Sequence, residues 1–194
     1  MKTQINTTRP HVRTMWVVHA ALMATAAFWL FAGEAHAQVS FAAEGRVGVT
    51  VPQGDLSDRG AETGITLGAE LQGNFHPNLT AYLGLSRHAF GCESGCALGS
   101  NPTSTGLGAG LKYLFHSPGD VHVWGRGGII ADRLSAHGLT NDRGLGFEVG
   151  MGADLPVASR LYLVPSLGFT SHDVGSTFTA RFFTLGVGAH YHIN

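Results

Sequence analysis

The chain has 194 residues, with 12 Lys and Arg against 13 Asp and Glu, so its formal net charge is −1. This balance gives no indication of nucleic-acid binding. The sequence contains 28 glycines. Beyond residue 37 it has no segment of clear helical periodicity and no apolar run long enough for a transmembrane helix.

The first segment has the pattern of a secretory signal. Its basic residues are Lys2, Arg9 and Arg13. An apolar stretch over 15–31 follows, and residues 35–37 read Ala-His-Ala, a small-residue cleavage site. We therefore expect a cleaved signal peptide over 1–37, a mature N-terminus at Gln38, and one domain over 38–194. An uncleaved membrane anchor is the alternative, because the apolar stretch is long for a signal.

Eight segments of the mature chain alternate between apolar and small or polar residues, as strands with one apolar face do. They span 41–51, 62–75, 79–88, 105–115, 121–132, 144–155, 161–170 and 183–193. About ten residues is also the length that a tilted strand needs to cross a bilayer. Pro165 interrupts the seventh segment and predicts a bulge or a local loss of pairing there.

The connections between these segments alternate in length. Short ones lie at 75–78, 116–120 and 156–160, and longer ones at 52–61, 89–102, 133–143 and 171–180. Short turns at one end and long loops at the other are typical of a transmembrane barrel. The sequence therefore predicts an all-β fold, an eight-stranded antiparallel transmembrane β-barrel with up-and-down topology. A soluble barrel of lipocalin type is the alternative, but its outward face would need more charge than these glycine-rich rows carry.

The two cysteines, Cys92 and Cys96, lie in one long connection. An exported chain meets an oxidising compartment, so we expect a local disulfide between them. A metal site would need further ligands nearby, and a redox motif would normally have two intervening residues rather than three.

The whole mature chain resembles a known family. The alternating segments carry the resemblance, together with residues 48–56 (Gly-Val-Thr-Val-Pro-Gln-Gly-Asp-Leu), which look like the first strand and loop of many members. The family is that of the small eight-stranded outer-membrane barrels of Gram-negative bacteria, such as the transmembrane domain of outer-membrane protein A and outer-membrane protein X. The resemblance implies a monomer in the outer membrane, inserted by the barrel-insertion machinery, with no cofactor. Family members usually end in Phe, whereas this chain ends in Ile193 and Asn194.

Six charged residues fall on the polar face that would line the lumen: Glu44, Arg46, Glu70, Lys112, Arg126 and Glu148. Unpaired charges in a narrow lumen are costly, so we expect ion pairs among these three acids and three bases. Such a network is also found in the family. It favours a plugged barrel over an ion-conducting pore.

Four arginines extend the lipid-facing rows at their outer ends: Arg87, Arg133, Arg143 and Arg181. The rows place them on one face at one height, where the outer leaflet holds lipid A phosphates. Arginine binds phosphate bidentately and keeps its charge, which suggests a belt that binds lipopolysaccharide. The alternative is a set of ordinary charges that reach water at the strand ends.

Several histidines and serines are weaker candidates for metal-binding or catalytic residues. His122, His190 and His192 would face the lumen at the inner mouth, where we expect satisfied polar residues rather than a metal site. Ser86 and His88 share a lumenal face without an identifiable acidic partner. The run at 171–173 (Ser-His-Asp) lies in the last long connection, and neighbours on an extended chain point to opposite sides.

We therefore expect a non-enzymatic protein with a structural or surface-contact role through four outer loops. A narrow channel for small solutes is the alternative. A lipid A-modifying enzyme is less favoured.

Overall fold

The computed structural model describes residues 39–92, 98, 101–115, 119–136, 143–175 and 178–193. Its strands are β1 (Ser40–Gln53), β2 (Ala61–His76), β3 (Leu79–Cys92), β4 (Thr103–Leu114), β5 (His122–Ser135), β6 (Arg143–Ala158), β7 (Leu161–Val174) and β8 (Phe178–His192). A single-turn helix, α1 (Asp55–Asp58), connects β1 to β2. The predicted signal peptide lies outside the described residues.

Each strand pairs antiparallel with the next, and β8 pairs with β1, so the sheet is a closed barrel in sequence order. The predicted fold class is confirmed. We call the end with the short turns the inner end and the opposite end, which carries α1, the outer end. Among the described residues, no helix is long and apolar enough to span a bilayer.

The barrel is narrow because of its strand number and stagger. Following paired residues once around the barrel from Arg181 on β8 leads back to Tyr191 on the same strand, a stagger of ten residues. Strands in such barrels tilt by about 35–45°, and eight of them enclose a space that side chains fill.

The two faces of the wall have opposite chemistry. Large apolar side chains point outward and are exposed, for example Ile129 at 72%, Leu145 at 76% and Leu185 at 66%. Charged side chains point inward and are buried, as Glu44 and Lys112 are. A soluble barrel would bury the apolar rows instead. A continuous apolar exterior of this kind is compatible with lipid.

The strands extend further at the outer end than the sequence predicts. The strand β3 continues to Cys92, β5 to Ser135 and β7 to Val174, while β8 begins at Phe178. The expectation that residues 171–173 lie in a loop is therefore wrong, because they belong to β7. Alternation persists in these extensions, but apolar residues now face inward and polar ones outward.

The inward-facing apolar residues of the outer end, with Leu56 of α1, pack into one cluster that we call the apolar cap. Its members are Leu56, Ala61, Phe90, Leu98, Leu134, Val174, Phe178, Ala180 and Phe182. Leu56, Leu134 and Phe182 are completely buried. Outside the bilayer the exterior meets water, so apolar groups become stable inside the barrel, as they are in a soluble protein.

Pro165 affects only one side of its strand. Pairing between β6 and β7 passes from Gly152–Ser166 to Leu155–Leu163 without a change of register. On the other side, Pro165 stays opposite Val187 of β8. The local loss of pairing fits the missing backbone N–H of proline.

Glycines allow a large side chain to cross the lumen. The hydroxyl of Tyr82 reaches Glu148 on the far wall at 2.7 Å. Its path runs over Gly110 and Gly128, where an added Cβ would overlap the Tyr82 hydroxyl. At Gly128 the Cβ would also lie 2.6 Å from the Ala109 carbonyl oxygen, which belongs to the wall and cannot move aside easily.

We predict that Gly128→Ala destabilises the refolded barrel by about 1–3 kcal/mol, the usual cost of overpacking. The matched control is Gly45→Ala on the lipid-facing side, where an added Cβ meets no atom within 4 Å. The control should be neutral or stabilising by up to about 1 kcal/mol. Urea unfolding midpoints in micelles measure both changes. A Gly128→Ala midpoint equal to that of Gly45→Ala would contradict the crowding argument.

Candidate functional site

Five of the six predicted lumenal charges form one connected chain of ion pairs. Arg46 Nη2 donates to Glu44 Oε1 at 2.6 Å and lies 3.5 Å from Glu70 Oε2. Arg126 Nη1 donates to the same Glu70 oxygen at 2.7 Å, and its Nη2 donates to Glu148 at 3.1 Å. Three carboxylates and two guanidiniums thus alternate across the lumen, with their side chains 1–19% exposed.

Neutral donors complete this network. Gln72 donates from its amide to Glu44 at 2.9 Å and to Glu70 at 2.8 Å, so it joins two carboxylates that would otherwise repel each other. Tyr82 donates to Glu148. We call these seven residues the charge network: Glu44, Arg46, Glu70, Gln72, Tyr82, Arg126 and Glu148. It lies in the inner half of the lumen.

The sixth residue, Lys112, pairs with an acid that the sequence analysis missed. Its Nζ lies 3.3 Å from both carboxylate oxygens of Asp154 and 4.4 Å from the centre of the Trp124 ring. Trp124 Nε1 also donates to Asp154 at 2.8 Å. Asp154 continues the inward positions of Glu148 on β6, so the alternation itself was a signal for it.

A second polar layer, also missed in part, lies beneath the apolar cap. Ser104 Oγ donates to Asp132 Oδ2 at 2.9 Å, and His172 Nδ1 lies 3.9 Å from the same oxygen. The ring of Phe182 covers His88 at 4.6 Å and His172 at 6.2 Å between centroids. Within the described residues, the atoms without a hydrogen-bond partner include Asp132 Oδ1, His88 Nδ1 and both ring nitrogens of His172.

A cavity of about 60 Å³ lies between this layer and the charge network. It is lined from below by Arg46 and Glu148, and from above by His88 and Asp132; Ser86 also borders it. A cavity must offer at least about 10–15 Å³ to hold one water molecule, so this space admits a few waters and no larger solute.

The histidines of the inner mouth come together more closely than expected. The rings of His190 and His192 lie 4.8 Å apart between centroids. The Tyr162 ring packs edge-on against both, at 5.9 Å and 5.3 Å. Neither ring nitrogen of His190 makes a hydrogen bond, although its Nδ1 lies 3.7 Å from Glu44 Oε2, so the expectation of satisfied polar residues is met only by this longer contact. In the part of the chain that the structure describes, no three His, Cys, Asp or Glu side chains are grouped to hold a metal ion.

The four outer arginines are all exposed on the outward face. Arg133 of β5 stands directly opposite Arg143 of β6. Thr105 of β4 stands opposite both Arg133 and Arg87, so three of the arginines share one row of the sheet. Arg181 lies further round the wall.

The tilt of the strands changes the predicted height of one arginine. It places Arg133, Arg143 and Arg181 at nearly one height, and Arg87 about two residues deeper. The expectation of a single height therefore needs correction for Arg87. Asp173, which is exposed on β7, shares this outward face between β6 and β8.

The predicted disulfide stays a prediction. Cys92 is the last residue of β3, at the outer end. Cys96 lies outside the described residues.

The closed wall, the apolar exterior and the ion-paired lumen define the class: an integral membrane β-barrel. The chain matches the outer membrane protein beta-barrel domain family over residues 23–191 and belongs to that family. It is therefore a protein of the outer membrane of Gram-negative bacteria.

Solved structures share the fold. Neisserial surface protein A is 14% identical with a TM-score of 0.65, over 78% of this chain and 96% of that one. OprG from Pseudomonas aeruginosa is 12% identical with a TM-score of 0.53, over 79% and 96%. The outer membrane protein AlkL is 15% identical with a TM-score of 0.53, over 84% and 93%. No curated protein matches the chain in sequence.

We predict that Glu70→Ala destabilises the barrel by about 3–5 kcal/mol, because it removes a carboxylate that Arg46 and Arg126 share in the lumen. The control is Asp55→Ala, which removes an exposed acid whose contact with the Thr179 N–H is long, at 3.4 Å. Substitutions at such sites usually change stability by less than about 0.5 kcal/mol. Urea titrations of the two variants in the same micelles should separate clearly; equal midpoints would show that Glu70 is not a buried pairing partner.

Proposed function

We propose that the protein is a closed, non-enzymatic barrel with a structural role in the outer membrane. The observation that carries the proposal is the blocked lumen. The charge network occupies its inner half, and the apolar cap seals its outer end. A solute would have to break several charge-assisted hydrogen bonds and then displace completely buried side chains such as Phe182 and Leu134.

We predict that the refolded protein produces no conductance steps in a planar lipid bilayer, whereas a porin measured in parallel does. For ions to pass, the charge network and the apolar cap would both have to open. Opening them would expose the buried apolar side chains of the cap and break the ion pairs of the network at the same time. Regular steps at neutral pH that scale with salt concentration would contradict the closed barrel and favour a channel.

A narrow channel is the second candidate. The cavity of about 60 Å³ favours it, because open space already separates the two blocked levels. The cavity is too small for anything but water, so conduction would need a rearrangement of the cap. The conductance measurement distinguishes the two functions.

The lumenal Ser, His and Asp residues support the non-enzymatic part of the proposal. Ser86 and His88 lie inside the wall under the cap, where an acyl chain from the bilayer does not reach. His172 is buried in the lumen while its neighbour Asp173 is exposed, so these two cannot act on one substrate. Release of fatty acid from lipopolysaccharide by the purified protein would contradict this part.

We further propose that the outer arginines bind lipopolysaccharide phosphates. The support is the placement of the four arginines, which are all exposed on the outward face at the outer end, with Arg133 directly opposite Arg143. Guanidinium groups bind phosphate bidentately and keep their charge, and Arg87 and Arg181 extend the same positive band around the wall.

We predict that changing Arg87, Arg133, Arg143 and Arg181 together to Gln lowers the unfolding midpoint in bilayers that contain lipopolysaccharide. In zwitterionic phospholipid the midpoint should hardly change, because each head-group phosphate is balanced by its own ammonium group and the bilayer has no net negative charge. Arg160→Gln is the control, since Arg160 is an exposed arginine at the inner end. An equal loss in both bilayers would show that the arginines are ordinary strand-end charges.

We also propose that the outer loops make surface contacts with partners. Residues 93–97, 99–100, 137–142 and 176–177 of these connections lie outside the described residues. We also propose a monomeric state and insertion by the barrel-insertion machinery, to which Tyr191 of β8 and Ile193, the residue after β8, present exposed apolar side chains.

A further inference from the structure

The inner mouth of the barrel carries a pair of histidines that no lumenal role described so far requires. His190 and His192 are two residues apart on β8, so both side chains point to the same side of the sheet, into the mouth. We propose that they form a two-histidine chelate for a divalent transition-metal ion such as Zn²⁺, taken from the periplasm.

The distance between the two rings fits a shared ion. With metal–nitrogen bonds of about 2.0–2.1 Å, two imidazoles on one tetrahedral or square-planar ion have centroids about 4.5–5.2 Å apart. The rings of His190 and His192 are 4.8 Å apart and inclined by 49°. The spacing of the two rings is therefore compatible with a shared ion.

His190 has a free ligand atom in a buried position. The residue is only 4% exposed, and neither ring nitrogen makes a hydrogen bond. Its Nδ1 lies 3.7 Å from Glu44 Oε2, whereas its Nε2 has lost contact with water and has no partner. A metal ion in the mouth supplies the missing interaction, because neutral imidazole is a preferred ligand of zinc and copper.

Glu44 is placed to orient this ligand. Its Cα stands opposite that of His190 on β1, and its Oε2 lies 3.7 Å from His190 Nδ1. A metal-bound histidine commonly donates its other N–H to a carboxylate. If Nδ1–H turns to Glu44, the lone pair of Nε2 is left for the ion. Arg46 and Gln72 donate to the same carboxylate and hold it in place.

Tyr162 restrains both rings from the opposite side. It stands opposite His190 on β7 and packs edge-on against His190 and His192. Rings held in this way lose less freedom when they bind an ion, which raises affinity. Tyr162 is a positioning residue in this proposal.

The surroundings decide what kind of site this is. Asp154, Lys112 and His122 face His192 from the other elements, and Asp154 is already paired with Lys112. No third described His, Cys, Asp or Glu completes the group. The chelate therefore has two protein ligands, and water fills the remaining positions. His192 is partly exposed, so the ion enters from the periplasmic side and exchanges readily.

The test uses the full mature chain without a histidine tag, refolded in micelles and titrated with ZnCl₂ by calorimetry. We expect one Zn²⁺ per barrel. His190→Asn and His192→Asn should each weaken binding at least tenfold. His76→Asn is the control, because His76 is the last residue of β2 and is exposed at the same end of the barrel. It should bind as the wild type does. Urea midpoints verify that each variant is folded.

A spectroscopic measurement keeps the test independent of affinity. The electron paramagnetic resonance spectrum of bound Cu²⁺ should show two nitrogen ligands in the wild type and one in each single variant. Glu44→Gln should weaken Zn²⁺ binding by about tenfold, the usual effect of losing an orienting carboxylate, while two nitrogens remain bound to copper. Unchanged affinity in Glu44→Gln would overturn the orienting role. No saturable binding by the wild type, or equal weakening in His76→Asn, would overturn the chelate.

Discussion

The hydrocarbon core of a bilayer offers no hydrogen-bond partner to a peptide group, and the rest of this structure depends on that constraint. A sheet can satisfy its backbone there only by closing on itself, as β1 and β8 do. Closure gives the wall one face toward lipid and one toward a narrow lumen. The exposed apolar rows and the buried charges are consequences of that single division, since each side chain must match the medium on its own side.

The narrow lumen in turn explains the pairing of glycines with large or charged side chains. Tyr82 reaches Glu148 only because Gly110 and Gly128 leave its path open. Trp124 similarly lies over Gly152, where a Cβ would come within 2.9 Å of the ring carbon Cη2. Every charge in this space needs a partner, so the network links distant strands: Arg126 of β5 joins Glu70 of β2 to Glu148 of β6. The glycines make room for the large side chains in the lumen, and the ion pairs neutralise the charges that are buried there.

The sequence predicts the strands well where they cross lipid and less well beyond it. Inside the bilayer the apolar side is always outward, so a period of two identifies each strand and its faces. At the outer end the preference reverses: Phe90, Leu134 and Phe182 turn inward, and Arg133 turns outward. The alternation continues there, but the apolar residues change face, so a pattern that expects them on the outward face ends each strand too early. Asp154 and Asp132 lie within the predicted segments and keep the inward positions of their strands, so the alternation was a signal for both.

Side-chain pairings across the lumen are harder to predict than the face of the sheet on which a residue lies, because the pairings depend on the stagger of the whole barrel. Glu44 illustrates the difference. Alternation places it inside, but only the register shows that it touches Arg46, Gln72 and His190 together. A carboxylate shared in this way couples the inner mouth to the charge network. An ion bound at His190 would draw Glu44 toward its ring, and Arg46 would then rely more on Glu70. The inner mouth and the charge network are therefore linked through one shared carboxylate.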